Sequence, residues 1–289
     1  MNIDTQDNAP LDAAQTSLSF AQLGLNAELQ SSAAEADFTA PTPVQIEAIG
    51  PVLNGRDVLA TAQTGSGKTA AYVLPVLQLL MATAASRDEA PKKRTTQVLV
   101  LVPTRELATQ VSDVLRDLAR PLTQSIKVGT LFGGVSINPQ MMSLRSGADV
   151  VVATPGRLLD IIEHNALNLG QVQHLVLDEA DRLLDLGFAE ELQRILALLP
   201  TKRQNLLFSA TFEPAVQTLA EALLSNPARI AIAHTEEHTP DIAQRAIQVD
   251  EKSRTALLRH LIKTHAWKRV FVFVATRYAC EHVATCSHA

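Results

Sequence analysis

The chain has 289 residues, 46% hydrophobic and 19% charged, which is enough apolar material for a sizeable core and too much for wholesale disorder. Lys and Arg number 25 against 30 Asp and Glu, a net charge of -5, so a globally basic nucleic-acid binder is excluded and any such partner must rest on local sites. Two cysteines, Cys280 and Cys286, exclude a disulfide framework and a Cys-rich metal domain and fit a reducing, cytoplasmic compartment.

From the N-terminus, residues 1–17 carry Asp4, Asp7 and Asp12 but no Lys, Arg or apolar run, which predicts a disordered tail without signal-peptide character. Between 57 and 232, short runs rich in Val and Leu alternate with longer segments of helical period, the pattern of parallel strands joined by helical crossovers. Strands are expected near 57–61, 97–102, 126–132, 149–153, 173–177, 205–208 and 229–232. Runs such as Val98-Leu99-Val100-Leu101-Val102 and Leu175-Val176-Leu177 suit strands covered on both faces. The fold class is therefore α/β, a mostly parallel, doubly wound sheet flanked by helices. Thr69–Ser86 is an uncharged stretch of 18 residues, but it is Ala-rich and contains Pro75, Gln78 and Thr83, so a buried helix is expected there and no membrane span. Residues 84–96 read as a charged surface loop. Residues 235–241 read as a linker, followed within 242–289 by a helix near 252–264, a strand at 269–274 and a helix beginning near Arg277.

Polar clusters follow the strands. Ala62-Gln63-Thr64-Gly65-Ser66-Gly67-Lys68-Thr69 follows the first, and Pro-Thr-Arg-Glu at 103–106 the second. Gly133-Gly134, Thr-Pro-Gly-Arg at 154–157, Asp-Glu-Ala-Asp at 178–181 and Ser-Ala-Thr at 209–211 follow the next four. In a parallel sheet these ends share one edge, where open α/β sheets bind ligands. Residues 62–69 match a phosphate-binding loop except that Ala62 stands at its first glycine. Backbone N–H groups would cradle the phosphates, Lys68 would reach the outer ones, and the Thr69 hydroxyl would serve Mg²⁺. Asp178 is placed to hold the same Mg²⁺ and Glu179 to orient an attacking water. ATP with Mg²⁺ is the expected ligand pair, and Lys68, Asp178 and Glu179 are the expected catalytic residues.

The six motifs in this order resemble the first RecA-like domain of the DEAD-box ATP-dependent RNA helicases, bacterial type, over about residues 18–234. The segment 242–289 resembles the start of that family's second RecA-like domain, which would be incomplete here. The resemblance implies an ATP-hydrolysing RNA helicase. Phe38-Thr-Ala-Pro-Thr-Pro-Val-Gln45 is similar to the family's adenine-reading motif, although Gly is usual where Asp37 stands. It implies adenine contacts from Gln45 and stacking on Phe20, for which a core position is the competing reading. It further implies that Thr104, Arg105, Gly134, Thr154 and Arg157 hold the sugar-phosphate backbone of single-stranded RNA without reading bases. Ser209 and Thr211 would couple ATP state to domain closure through Asp181, with capping of the helix near 213 equally open for Thr211. With the family's arginine-rich second-domain motif absent from these residues, the 289-residue polypeptide is expected to bind nucleotide with little turnover or unwinding of its own. The alternative is a nonenzymatic fragment that binds RNA or a partner in competition with a full-length helicase. Cys280-x-His282-x₃-Cys286-x-His288 fits no usual zinc spacing and is not expected to bind metal.

Overall fold

The computed structural model describes residues 18–85, 94–232 and 243–287. The expected tail at 1–17, residues 86–93 of the charged loop and the expected linker at 235–241 lie outside the described residues. The chain divides into two units, with the boundary between His234 and Thr235.

In the first unit the strands are β1 (Val58–Thr61), β2 (Val98–Leu101), β3 (Val128–Leu131), β4 (Val150–Ala153), β5 (His174–Leu177), β6 (Gln204–Ser209) and β7 (Ala228–Ala231). They form one seven-stranded sheet in the order β3-β4-β2-β5-β6-β1-β7, every pair parallel. The helices are α1 (Ala27–Glu35), α2 (Pro43–Leu53), α3 (Lys68–Ala85), α4 (Arg105–Ala119), α5 (Asn138–Ser143), α6 (Pro155–Glu163), α7 (Ala180–Asp185), α8 (Ala189–Ala197) and α9 (Pro214–Leu223).

Strand alternation sorts the core into two layers. Val58, Ala60, Val98, Val100, Val176, Leu206 and Phe208 pack with α1 to α4. Leu59, Leu99, Leu101, Leu175, Leu177 and Leu207 pack with residues of α6 to α9. Both faces are thus covered, and for that reason a strand only four residues long can be an uninterrupted run of Val and Leu, as β2 is. Each such side chain contributes about 1.5–3 kcal/mol by leaving water.

Register positions the site. Leu131, Ala153, Leu101 and Leu177 lie level across β3, β4, β2 and β5. Leu177 is level with Leu207, whereas Thr61 is level with Ser209, so β6 and β1 run two residues farther before turning. Local signals set the helix starts beyond these ends. Thr104 caps α4 by accepting from Leu107 N at 3.2 Å. Pro155 occupies the first turn of α6, where its missing N–H costs nothing. α3 carries the uncharged stretch from Thr69, and among the described residues no helix is long and apolar enough to cross a membrane.

The second unit contains a short 3₁₀ turn (Glu251–Ser253), α10 (Arg254–His265) and α11 (Arg277–Ser287), close to the expected helices. The strand expected at 269–274 is not formed. Its composition is that of a buried strand, but a ladder needs a partner. None pairs with it among the described residues, and Phe271 and Phe273 are 93% and 95% exposed. Cys280 is exposed and the His282 ring stacks on Tyr278, while the Cys286 side chain and His288 lie outside the described residues.

Candidate functional site

The sheet order divides the strand-end edge into two neighbouring halves. The loops after β1, β5 and β6, which carry the expected nucleotide and coupling residues, come from the adjacent strands β5-β6-β1. The loops after β2, β3 and β4, which carry the expected RNA-backbone residues, come from β3-β4-β2.

In the first half the loop 62–69 opens α3 and borders a cleft of about 320 Å³ whose lining includes Gly65, Gly67, Lys68, Thr69, Asp178 and Glu179. Thr64 lines it too. Gly65 and Gly67 take φ of 82° and 93°, which only glycine adopts without strain. A methyl group at Gly67 would also fall 2.6 Å from Gln45 Nε2, so the close approach needs glycine twice over. Ala62 N continues the sheet ladder to Ser209 O at 3.1 Å, and the Gln63 carbonyl accepts from Ser66 Oγ at 2.7 Å. Lys68 is 6% exposed and its Nζ donates to the Ala62 carbonyl at 2.6 Å. The loop therefore holds its cation on its own backbone, a contact that a bound phosphate would replace.

Across the cleft Asp178 ends β5, 2% exposed. Its Oδ1 accepts from Glu179 N at 2.9 Å and its Oδ2 from Tyr72 Oη at 2.8 Å. Burial pushes the Asp178 carboxyl up to about 6, against the opposing pull of the Tyr72 hydrogen bond and the Lys68 charge. Burial likewise pushes the Tyr72 phenol well above its ordinary value, with Asp178 adding to the effect. Glu179 takes a left-handed φ of 51° immediately before α7, and its Oε2 pairs with Arg182 Nη1 at 3.1 Å. This strained turn brings both carboxylates to the cleft lining.

Thr69 and Asp178 offer a hydroxyl and a carboxylate, hard oxygen donors beside a buried lysine. That set fits Mg²⁺, which takes one or two protein oxygens and completes its shell with phosphates and waters. Asp181 is the centre of the third cluster. Its Oδ2 accepts from Ala210 N, Thr211 N and Thr211 Oγ1 at 3.2, 3.0 and 3.1 Å, and Asp181 N donates to Ser209 Oγ at 3.3 Å. The Thr211 hydroxyl thus ties β6 to α7, and Glu213 stands at the N-terminus of α9.

Gln45 is 1% exposed, and both ends of its amide are engaged: Oε1 accepts from Thr42 N at 3.0 Å and Nε2 donates to Gly67 O at 3.1 Å. It sits against the phosphate loop and tethers α2 to it. Phe20, the expected stacking ring, stands where its competing core reading would put it. It is 7% exposed within the core layer that α1 to α4 build. Asp37, standing where glycine was expected, takes a left-handed φ of 63° and keeps the turn at the cost of some strain.

In the second half, Arg105 lies over the Phe132 ring at 4.9 Å. Gln140 holds Phe132 on both sides, accepting from its N and donating to its O, each at 3.1 Å. Gly134 takes φ 79° with open space around it. Thr154 is buried at the start of α6 without a capping bond from its hydroxyl. The Arg157 guanidinium is buried; Nη2 donates to Val135 O at 2.8 Å, Nε lies 3.5 Å from Asp160 Oδ2, and Nη1 makes no hydrogen bond. Tyr72, Phe132 and Gln140 were not legible as site residues. The one signal was a phenol in a mostly apolar helix, one turn after Lys68.

The DEAD/DEAH box helicase family profile matches residues 42–219. Similar curated proteins include ATP-dependent RNA helicase DeaD of Escherichia coli, 38% identical over 271 residues, 94% of this chain and 42% of that protein. DEAD-box ATP-dependent RNA helicase RhpA of Helicobacter pylori is 39% identical over 92% of this chain and 51% of its own length. ATP-dependent RNA helicase SrmB of Escherichia coli is 40% identical over 93% of this chain and 60% of its own. The chain spans about half the length of the curated relatives it matches. A crystal structure of a DEAD box protein from the hyperthermophile Methanococcus jannaschii superposes with a TM-score of 0.67 at 31% identity, covering 92% of this chain and 69% of that one.

Proposed function

The chain belongs to the DEAD/DEAH box helicase family, and on that premise we propose that its first unit binds ATP with Mg²⁺ in the cleft between Lys68 and Asp178 and holds single-stranded RNA on the adjoining half of the same edge. The observation that carries this reading is the meeting of Lys68, Thr69, Asp178 and Glu179 in one cleft from loops far apart in sequence. Loop N–H groups and Lys68 bind the phosphates, Gln45 borders the loop for the adenine, and Glu179 orients a water. Mg²⁺, when bound through Thr69 and Asp178, would neutralise phosphate charge.

Thr104, Arg105, Gly134, Thr154 and Arg157 supply hydroxyls, guanidiniums and an open glycine, groups that suit phosphate and carry no base readout. RNA is therefore the partner, bound irrespective of sequence. Asp181, Ser209 and Thr211 link nucleotide state to the rest of the edge. The activity served is ATP-dependent unwinding or remodelling of RNA in the cytoplasm. The 289-residue polypeptide assayed alone binds nucleotide with little turnover.

Titration with a fluorescent ATP analogue, with and without Mg²⁺ and single-stranded RNA, tests the reading: Mg²⁺ should tighten binding, and indifference to Mg²⁺ would refute it. Arg157→Ala should weaken single-stranded RNA binding about tenfold, as expected for one lost charged hydrogen bond. The loss should be the same for different base compositions and should lower the log K against log salt slope by about 0.7. Fluorescence anisotropy across a salt series checks it, and a loss confined to one sequence would refute backbone readout.

A further inference from the structure

We propose that Tyr72 is a positioning residue for metal binding, its hydroxyl holding the Asp178 carboxylate in place at the cleft. The inference rests on the nucleotide reading above. Tyr72 follows Thr69 by three residues and Lys68 by four, so all three lie along one face of α3. Its ring is 1% exposed and packs against Phe208 of β6 at 5.2 Å between centroids, which fixes where the hydroxyl points.

That hydroxyl donates to Asp178 Oδ2 at 2.8 Å while Glu179 N donates to Oδ1 at 2.9 Å. With one donor on each oxygen, the carboxylate cannot rotate about its terminal bond, and one lone pair on each oxygen remains for another partner. One buried hydroxyl therefore fixes the carboxylate that would hold Mg²⁺. Hydrogen-bond partners of metal ligands fix ligand orientation, and their loss weakens metal binding by about 10–100-fold.

Tyr72→Phe removes the hydroxyl and keeps the ring, its volume and its contact with Phe208. The experiment is a Mg²⁺ titration of fluorescent ADP binding by the full chain, with ADP affinity in EDTA and thermal midpoint measured alongside. Tyr72→Phe should raise the half-saturating Mg²⁺ concentration about tenfold or more, with affinity in EDTA within about twofold of wild type. An unchanged half-saturating Mg²⁺ would overturn the proposal. So would a parallel fall in EDTA affinity and thermal midpoint, which marks a purely structural role. Wild-type binding that ignores Mg²⁺ would instead overturn the nucleotide reading itself, and this inference with it.

Discussion

Lys68→Ala is expected to weaken nucleotide binding by about 100-fold, because a buried ammonium that meets phosphate makes charge-assisted hydrogen bonds of roughly 1.5–3 kcal/mol each. The side chain is already desolvated, at 6% exposure, and is held by a single carbonyl. Exchange of that carbonyl for a phosphate gains charge pairing without further burial. The substitution acts on Asp178 as well, since the Lys68 charge restrains the upward push of burial on that carboxyl. Without it the carboxyl rises above about 6. The Mg²⁺-dependent part of nucleotide affinity should therefore fall together with the Mg²⁺-independent part. Isothermal titration of ADP in Mg²⁺ and in EDTA checks this. A double-mutant cycle with Asp178→Asn should show that the two losses do not add.

Asp178→Asn should have the opposite effect on the fold. With ADP absent and EDTA present, it is expected to stabilise the chain at pH 8 by about 3 kcal/mol, roughly 5–10 °C in thermal midpoint. The folded value of about 6 lies above the carboxyl's ordinary 3.8. Folding thus takes up a proton between those values, and the ionised carboxylate opposes folding at all higher pH. The gain from Asn should be full above pH 6, shrink as pH falls through 6, and vanish below about pH 4. The new amide can donate to the Tyr72 oxygen, but the phenol O–H then loses its acceptor on residue 178, a cost of about 1 kcal/mol that trims the gain. A site residue that weakens the fold it belongs to is a common cost of function. Calorimetry across pH 4–8 reads it, and a variant less stable than wild type at pH 8 would show that Asp178 contributes more to the fold through its hydrogen bonds than its burial costs.

The sheet was legible because its signal is local. Parallel strands covered on both faces are uninterrupted apolar runs, and Val98–Leu101 and His174–Leu177 fall inside the ranges expected for them. The same signal misread 269–274, because composition reports a strand's suitability for burial and says nothing of whether a neighbour is there to pair with it. The phosphate loop and the Asp178-Glu179 pair were legible because their chemistry needs particular residues at short spacing. Tyr72 was not, since its partner lies 106 residues away and only the β1-β6-β5 order brings them together. Phe20 shows the converse: an aromatic side chain suits a ligand face and a core equally, and at 7% exposure it packs with the core. Gln45 was read for its amide, but the amide's engagement with Thr42 and Gly67 depends on how α2 docks on the loop.

Crystals of the chain grown with ADP and Mg²⁺ test the central claim most directly. The expected map shows the diphosphate wrapped by residues 62–69, with Lys68 turned from the Ala62 carbonyl to phosphate and the ion held on the side of Thr69 and Asp178. Diphosphate density at any other place on the molecule, or Lys68 and Asp178 facing away from each other, would contradict it.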